Sequence, residues 1–149
     1  MADAVTSQKI IDDDRKLVYK FTNISDGSGE ASVLKVDVSG LDTNNEGETC
    51  TRVTLTKLWY DVGGMRVTLE WAASTNVVAI VLGGSAAVGV SSGFYDFRKW
   101  GGVPNNAGSG ITGDVDLTTH GHTAHDHYTI VAEFVKSYSW LLQELVHLV

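Results

Sequence analysis

Cysteine is almost missing from this chain of 149 residues: Cys50 stands alone, so no intrachain disulfide can close and no cysteine-based metal pattern exists. Stability must come from packing. A secretory signal is missing as well, because Met1 to Asp14 carries an acidic run and not the basic, then apolar, then small-residue order of such a segment. No apolar run approaches the length of about 20 residues that spans a bilayer. The expectation is a protein made in a cytoplasm that stays soluble. Positive charge is also short. Eleven basic against eighteen acidic residues leave a net charge of −7, and such a surface repels phosphate backbones and anionic lipid. Neither nucleic acid nor membrane is therefore an expected partner.

What is present is enough apolar sequence for one core. Hydrophobic residues are 43% of the chain and charged ones only 19%, which separates it from disordered sequences, and its length suits one domain. Period-2 alternation dominates. From Arg15 to Ile24, Leu17, Tyr19 and Phe21 share a face. After the turn Ser25 to Gly29, the segment Glu30 to Val38 sends Leu34, Val36 and Val38 inward, so the two segments read as a hairpin or as neighbouring strands. Thr51 to Val62 follows a polar loop. Gly63-Gly64 then reverses the chain into Met65 to Trp71, where Met65, Val67, Leu69 and Trp71 alternate with Arg66, Thr68 and Glu70.

Val77 to Leu82 lacks alternation and is rich in β-branched residues, which predicts a strand covered on both faces or placed centrally. Gly83 to Gly93 and Gly101 to Gly110 are glycine-rich and read as long surface loops or bulged edge strands. Asp114 to Thr119 and His127 to Lys136 are the last strands, joined by a histidine-bearing turn. The fold class expected is all-β: an antiparallel two-sheet sandwich, jelly-roll-like, of about eight strands over residues 1–136. The remainder, 137–149, changes period. Tyr138, Leu141, Leu142, Leu145, Val146 and Val149 fall at i, i+3, i+4, i+7, i+8 and i+11, the spacing of one helical face. A short amphipathic helix is the natural reading, with Tyr138, Leu141, Leu142, Leu145 and Val146 as an assembly interface, since an isolated helix this short needs a surface to lie on.

Chemical motifs are few, and each fails in context. Gly89-Val90-Ser91-Ser92-Gly93 fits the G-x-S-x-G elbow of hydrolases, with Asp114 or Asp116 and His120 or His122 following in order, but an elbow needs a strand-to-helix turn. Gly108 to Gly113 satisfies G-x-G-x-x-G yet opens a strand, so no helix N-terminus cradles a phosphate. Asp42, Asn44, Glu46 and Gly47 imitate a calcium loop whose twelfth position is Val53, where a bidentate carboxylate is required. Asn23-Ile24-Ser25 is a glycosylation sequon of no consequence without secretion. No catalytic or cofactor-binding residue is assigned, and the chain is expected not to be an enzyme.

His120, His122, His125 and His127 are the one cluster with metal-ligating chemistry. The first two would share a strand face and the others the facing one across a hairpin. A polar turn at a loop tip is the plainer reading and a structural metal the second. Trp59, Tyr60, Trp71, Phe94, Tyr95, Phe97 and Trp100 can be read as a carbohydrate- or peptide-binding platform; alternation, however, puts Trp71 and Trp59 in the core, whereas Trp100, beside Gly101-Gly102, is the candidate exposed anchor.

The segments Lys20 to Glu30 (KFTNISDGSGE), Val33 to Leu41 (VLKVDVSGL) and Gly101 to Gly110 (GGVPNNAGSG) resemble those of small virion proteins of tailed bacteriophages, as do Thr112 to Leu117 and Tyr128 to Val131. The resemblance runs from Thr6 to Lys136, and the tail beyond departs from it. It implies a structural protein of the virion, a head decoration or cement protein that binds the major capsid protein or another virion protein. It further implies a homo-oligomer, a trimer among the options, assembled in the cytoplasm of a bacterial host. Its matching motifs define no functional residues to carry over. A tail-associated receptor- or glycan-binding module is the alternative, and a metal-dependent enzyme comes third.

Overall fold

Residues 3–83 and 90–138 are described by the computed structural model. Among them are nine strands: β1 (Ala4–Asp12), β2 (Lys16–Ile24), β3 (Val33–Val36), β4 (Arg52–Gly63), β5 (Arg66–Trp71), β6 (Val77–Gly83), β7 (Val90–Asp96), β8 (Val115–His120) and β9 (His127–Ser137). Helix among these residues is confined to two short 3-10 turns, Val38–Gly40 and Arg98–Trp100. The chain is thus mostly antiparallel β. One sheet has five strands in the order β1-β2-β9-β4-β7 and the other four in the order β3-β8-β5-β6. The pairing is nested: β2 with β9, β3 with β8, β4 with β7, β5 with β6, all antiparallel.

The two sheets share one core. Leu17 and Phe21 of β2, Leu55 and Leu58 of β4, and Ile130 and Phe134 of β9 meet Val67, Leu69 and Trp71 of β5 and Val115 and Leu117 of β8, all almost completely buried. Burying each large side chain contributes about 1.5–3 kcal/mol before entropy is counted. Along β9 the burial alternates strictly, with Tyr128, Ile130, Ala132 and Phe134 inward, as its period-2 sequence requires.

Several expectations are corrected by this topology. Segments β2 and β3 are neither a hairpin nor neighbours; they lie in different sheets, and in β3 Leu34 is exposed while Lys35 is buried against Glu30, the reverse of the alternation expected at those two positions. Gly63-Gly64 does reverse the chain, but it carries it from one sheet to the other. Gly64 has φ of 77°, and a Cβ there would collide with the Asp126 carboxylate. Val77 to Leu82 is not central. As β6 it is an edge strand, with Val78 and Val81 about half exposed, because a continuous apolar run cannot by itself distinguish two-sided cover from an edge. The ninth strand is β1, whose side chains are exposed at eight of nine positions. It lies at the edge of the larger sheet and buries little, so nothing selects for alternation and its sequence carries no period-2 signal.

Trp59 is the other correction. It is 42% exposed, whereas Trp71 is buried at 1%. The pairing of β4 with β9 shifts between Leu55 and Lys57, a bulge that inserts one residue. Val53 and Leu55 face the core before it, Leu58 and Val62 after it, and Trp59 is turned to the outside. Thr56 fills the bulge and donates its hydroxyl to the Glu133 carbonyl or carboxylate at 3.0 and 2.9 Å.

β9 ends at Ser137, one residue beyond the boundary expected between domain and extension. Tyr138 packs against the core and its phenol donates to the Asp14 carbonyl. The other candidate assembly residues, Leu141, Leu142, Leu145 and Val146, lie outside the described residues, as does the helix expected there.

Candidate functional site

The nested pairing disperses the histidines. His120 closes β8 in one sheet and His127 opens β9 in the other, so the two strands are not a hairpin and no facing pair arises. The His122 ring occupies the space over Gly29 and has Nδ1 3.3 Å from the Thr119 hydroxyl; His127 lies over Gly63; His125 takes a turn conformation with φ of 75°. Among the described residues, no group of three or more His, Cys, Asp or Glu side chains is placed to hold a metal ion.

The catalytic patterns are separated in the same way. Ser91 is in β7, paired with Val62 of β4, while Asp116 and His120 are on β8 in the other sheet. Asp116 accepts from the Asn76 amide at 2.9 Å. Asp114 accepts from the Val38 amide at 2.9 Å, and burial raises its carboxyl above the usual carboxylate range. In the acidic loop, Asn44 organises the backbone by accepting from the amides of Glu46 and Glu48.

What the fold does assemble is an aromatic edge. β7 pairs with β4 on one side, and among the described residues no strand pairs with its other side. Along it Val90, Phe94 and Tyr95 are exposed at 67%, 49% and 39%. Tyr95 stacks between Tyr60 and Phe97, with ring centroids 5.8 and 5.4 Å away, and the Tyr60 hydroxyl bonded to it raises its phenol. Phe94 stacks on Trp59 at 4.8 Å. The strand then enters the turn Arg98–Trp100, where Trp100 is 73% exposed.

This turn is held from several directions. Phe97 donates its amide to the Thr56 carbonyl, and its own carbonyl accepts from Trp100 and Gly102. Val103 and Leu55 exchange two backbone bonds, at 2.7 and 3.0 Å, where the returning chain meets the β4 bulge. Gly102 has φ of 93°, and a Cβ there would come within 2.7 Å of the Thr54 methyl. Asp96 receives the Arg98 guanidinium in two bonds of 2.9 and 2.7 Å and its backbone amide in a third, which draws its carboxyl down to about 2. A tight αL turn at Gly101 and a two-pronged ion pair thus present Trp100 on a fixed support.

Residue patterning groups Phe94, Tyr95, Phe97 and Trp100 as one aromatic cluster, but it gives no sign of which sheet edge they occupy. Compared with known proteins, the chain matches no family model, no curated protein and no solved structure.

Proposed function

We propose that the protein is a non-catalytic structural component of a tailed bacteriophage particle, a head decoration or cement module that docks on the lattice of the major capsid protein. The nested pairing of β2 through β9 supports a jelly-roll reading, with β1 added at one edge. Viral capsid domains, lectins and cupins all use this architecture, so the fold alone does not choose among them.

The observation that carries the reading is the aromatic edge running from Val90 through Tyr95 to Trp100. Aromatic residues and arginine dominate the centres of protein interfaces, and a rigid support lowers the entropy lost on binding. On a repetitive shell, many such contacts act together, so each can be modest. The second reading, a tail-associated receptor- or glycan-binding module, is favoured by a depression beside Trp59, lined in part by Ser92 and Gly93 of the same edge strand.

Co-sedimentation of the purified protein with shells lacking it tests the proposal. Trp100→Ala is expected to weaken docking by about 30-fold or more, the loss of an interface hot spot of about 2 kcal/mol. Undiminished docking of a Trp100→Ala, Tyr95→Ala double variant would rule this edge out as the docking surface.

A further inference from the structure

The bulge at Thr56 turns Trp59 onto the outer face of the five-stranded sheet, where it joins a row running Val131, Trp59, Phe94 across β9, β4 and β7. The next row on the same face is Thr129, Asp61, Ser92. Between them lies a shallow depression of about 360 Å³, lined by Trp59, Val131, Asp61, Ser92 and Thr129 among others. This volume falls within the roughly 300–1,000 Å³ of small-molecule sites. Phe94 does not line it; stacked at 4.8 Å with its ring plane 24° from the indole, it backs Trp59 and limits its rotation.

We propose that this depression is a saccharide-binding site that takes a neutral hexopyranose unit of a surface glycan. A pyranose ring has an apolar C–H face and a rim of hydroxyls. An exposed indole beside the half-buried Val131 matches the first. The adjoining row matches the second: the Asp61 carboxylate accepts from sugar hydroxyls, and the Ser92 and Thr129 hydroxyls donate or accept. All three are exposed, and among the described residues none of these side chains has a hydrogen-bond partner, so their bonding capacity is open to a ligand. Asp61 in the rim, on a chain of net charge −7, sets the specificity against carboxylated or sulfated sugars. The inference rests on the second functional reading only for the class of ligand. It holds whether the protein sits on a head or a tail, and it uses the sheet face and not the Tyr95–Trp100 edge.

The test uses the full chain against an array of neutral and acidic glycans, followed by titration of the best neutral oligosaccharide. Neutral hexose-containing glycans are expected to bind. Trp59→Ala should weaken that binding at least about tenfold, the equivalent of about 1.4 kcal/mol. Asp61→Ala, a change at an exposed position that leaves the core untouched, should weaken it as well and relieve the exclusion of acidic sugars. Trp100→Ala should leave it unchanged while losing shell docking, so the two sites separate. The proposal is overturned if no glycan binds, if acidic glycans alone bind, or if binding survives both Trp59→Ala and Asp61→Ala. Loss of shell docking in Trp59→Ala without any glycan binding would make this face a protein interface instead.

Discussion

Lys136 and Asp12 form a buried ion pair, Nζ to Oδ1 at 2.6 Å, that ties the end of the last strand to the end of the first. The same ammonium donates to the Asp13 and Asp42 carbonyls at 2.8 Å each, so all three of its protons are used. Lys9 adds a second cation 3.0 Å from the other Asp12 oxygen, which also accepts the Asp42 amide. One lysine thereby fixes the β1–β2 turn and the loop before β4 onto β9. Replacing it by an apolar residue of similar length leaves the buried carboxylate without its main partner. Lys136→Met is expected to destabilise the fold by about 3–5 kcal/mol in chemical unfolding, the range for breaking one side of a buried pair.

The same pair sets a pH dependence. Burial alone would raise the Asp12 carboxyl, but bonds from Lys136, the Asp42 amide and Lys9 outweigh it and hold it below its usual value. Burial would likewise lower Lys136, and its bond to Asp12 overrides this and raises it. A depressed acid contributes stability above its unfolded value near 3.9, lost as pH falls through the folded one; a raised base contributes below about 10.4, lost as pH rises through the folded one. The stability gap between the wild type and Lys136→Met should therefore be constant from about pH 5 to 9 and shrink on both sides. Thermal unfolding carried below and above that range measures it, and a gap that stays constant beyond both limits would deny the pair its role.

Two glycines with nearly the same φ make a controlled comparison. Gly47 has φ of 79° and nothing within 4 Å of where a Cβ would sit, whereas at Gly64, with φ of 77°, the Cβ would overlap the Asp126 carboxylate. Gly47→Ala should cost about 1 kcal/mol of backbone strain and Gly64→Ala about 2–3 kcal/mol. Equal losses in unfolding midpoint would mean that the sheet-to-sheet turn at Gly64 relaxes freely.

Local patterning is readable wherever a strand has one wet and one dry face, as in β5 and β9. It fails where that contrast is absent or broken. β1 is an edge strand exposed at eight of nine positions, and β6 is apolar although it lies at an edge. Alternation misplaces Trp59 because a one-residue bulge at Thr56 inverts the pattern downstream, and nothing in the residue types announces it. The histidines and the aromatic edge depend on which strands pair over long separations, which local periodicity does not encode. Trp100 is legible because a large aromatic beside two glycines has little to pack against.

A role for the C-terminus in assembly has its own test. Truncation after Tyr138 retains the bond to the Asp14 carbonyl and all of β9. If Leu141, Leu142, Leu145 and Val146 serve assembly, the truncated protein should keep its unfolding midpoint and fall to a smaller species in light scattering. An unchanged oligomer would make those residues dispensable for it.

Cryo-electron microscopy of phage shells incubated with the purified protein tests the proposed docking most directly. The nine-stranded domain is expected at regular positions on the shell, with Tyr95 and Trp100 facing the major capsid protein. Density for the domain on the shell with that edge turned to solvent, or its absence from the particle, would contradict the proposal.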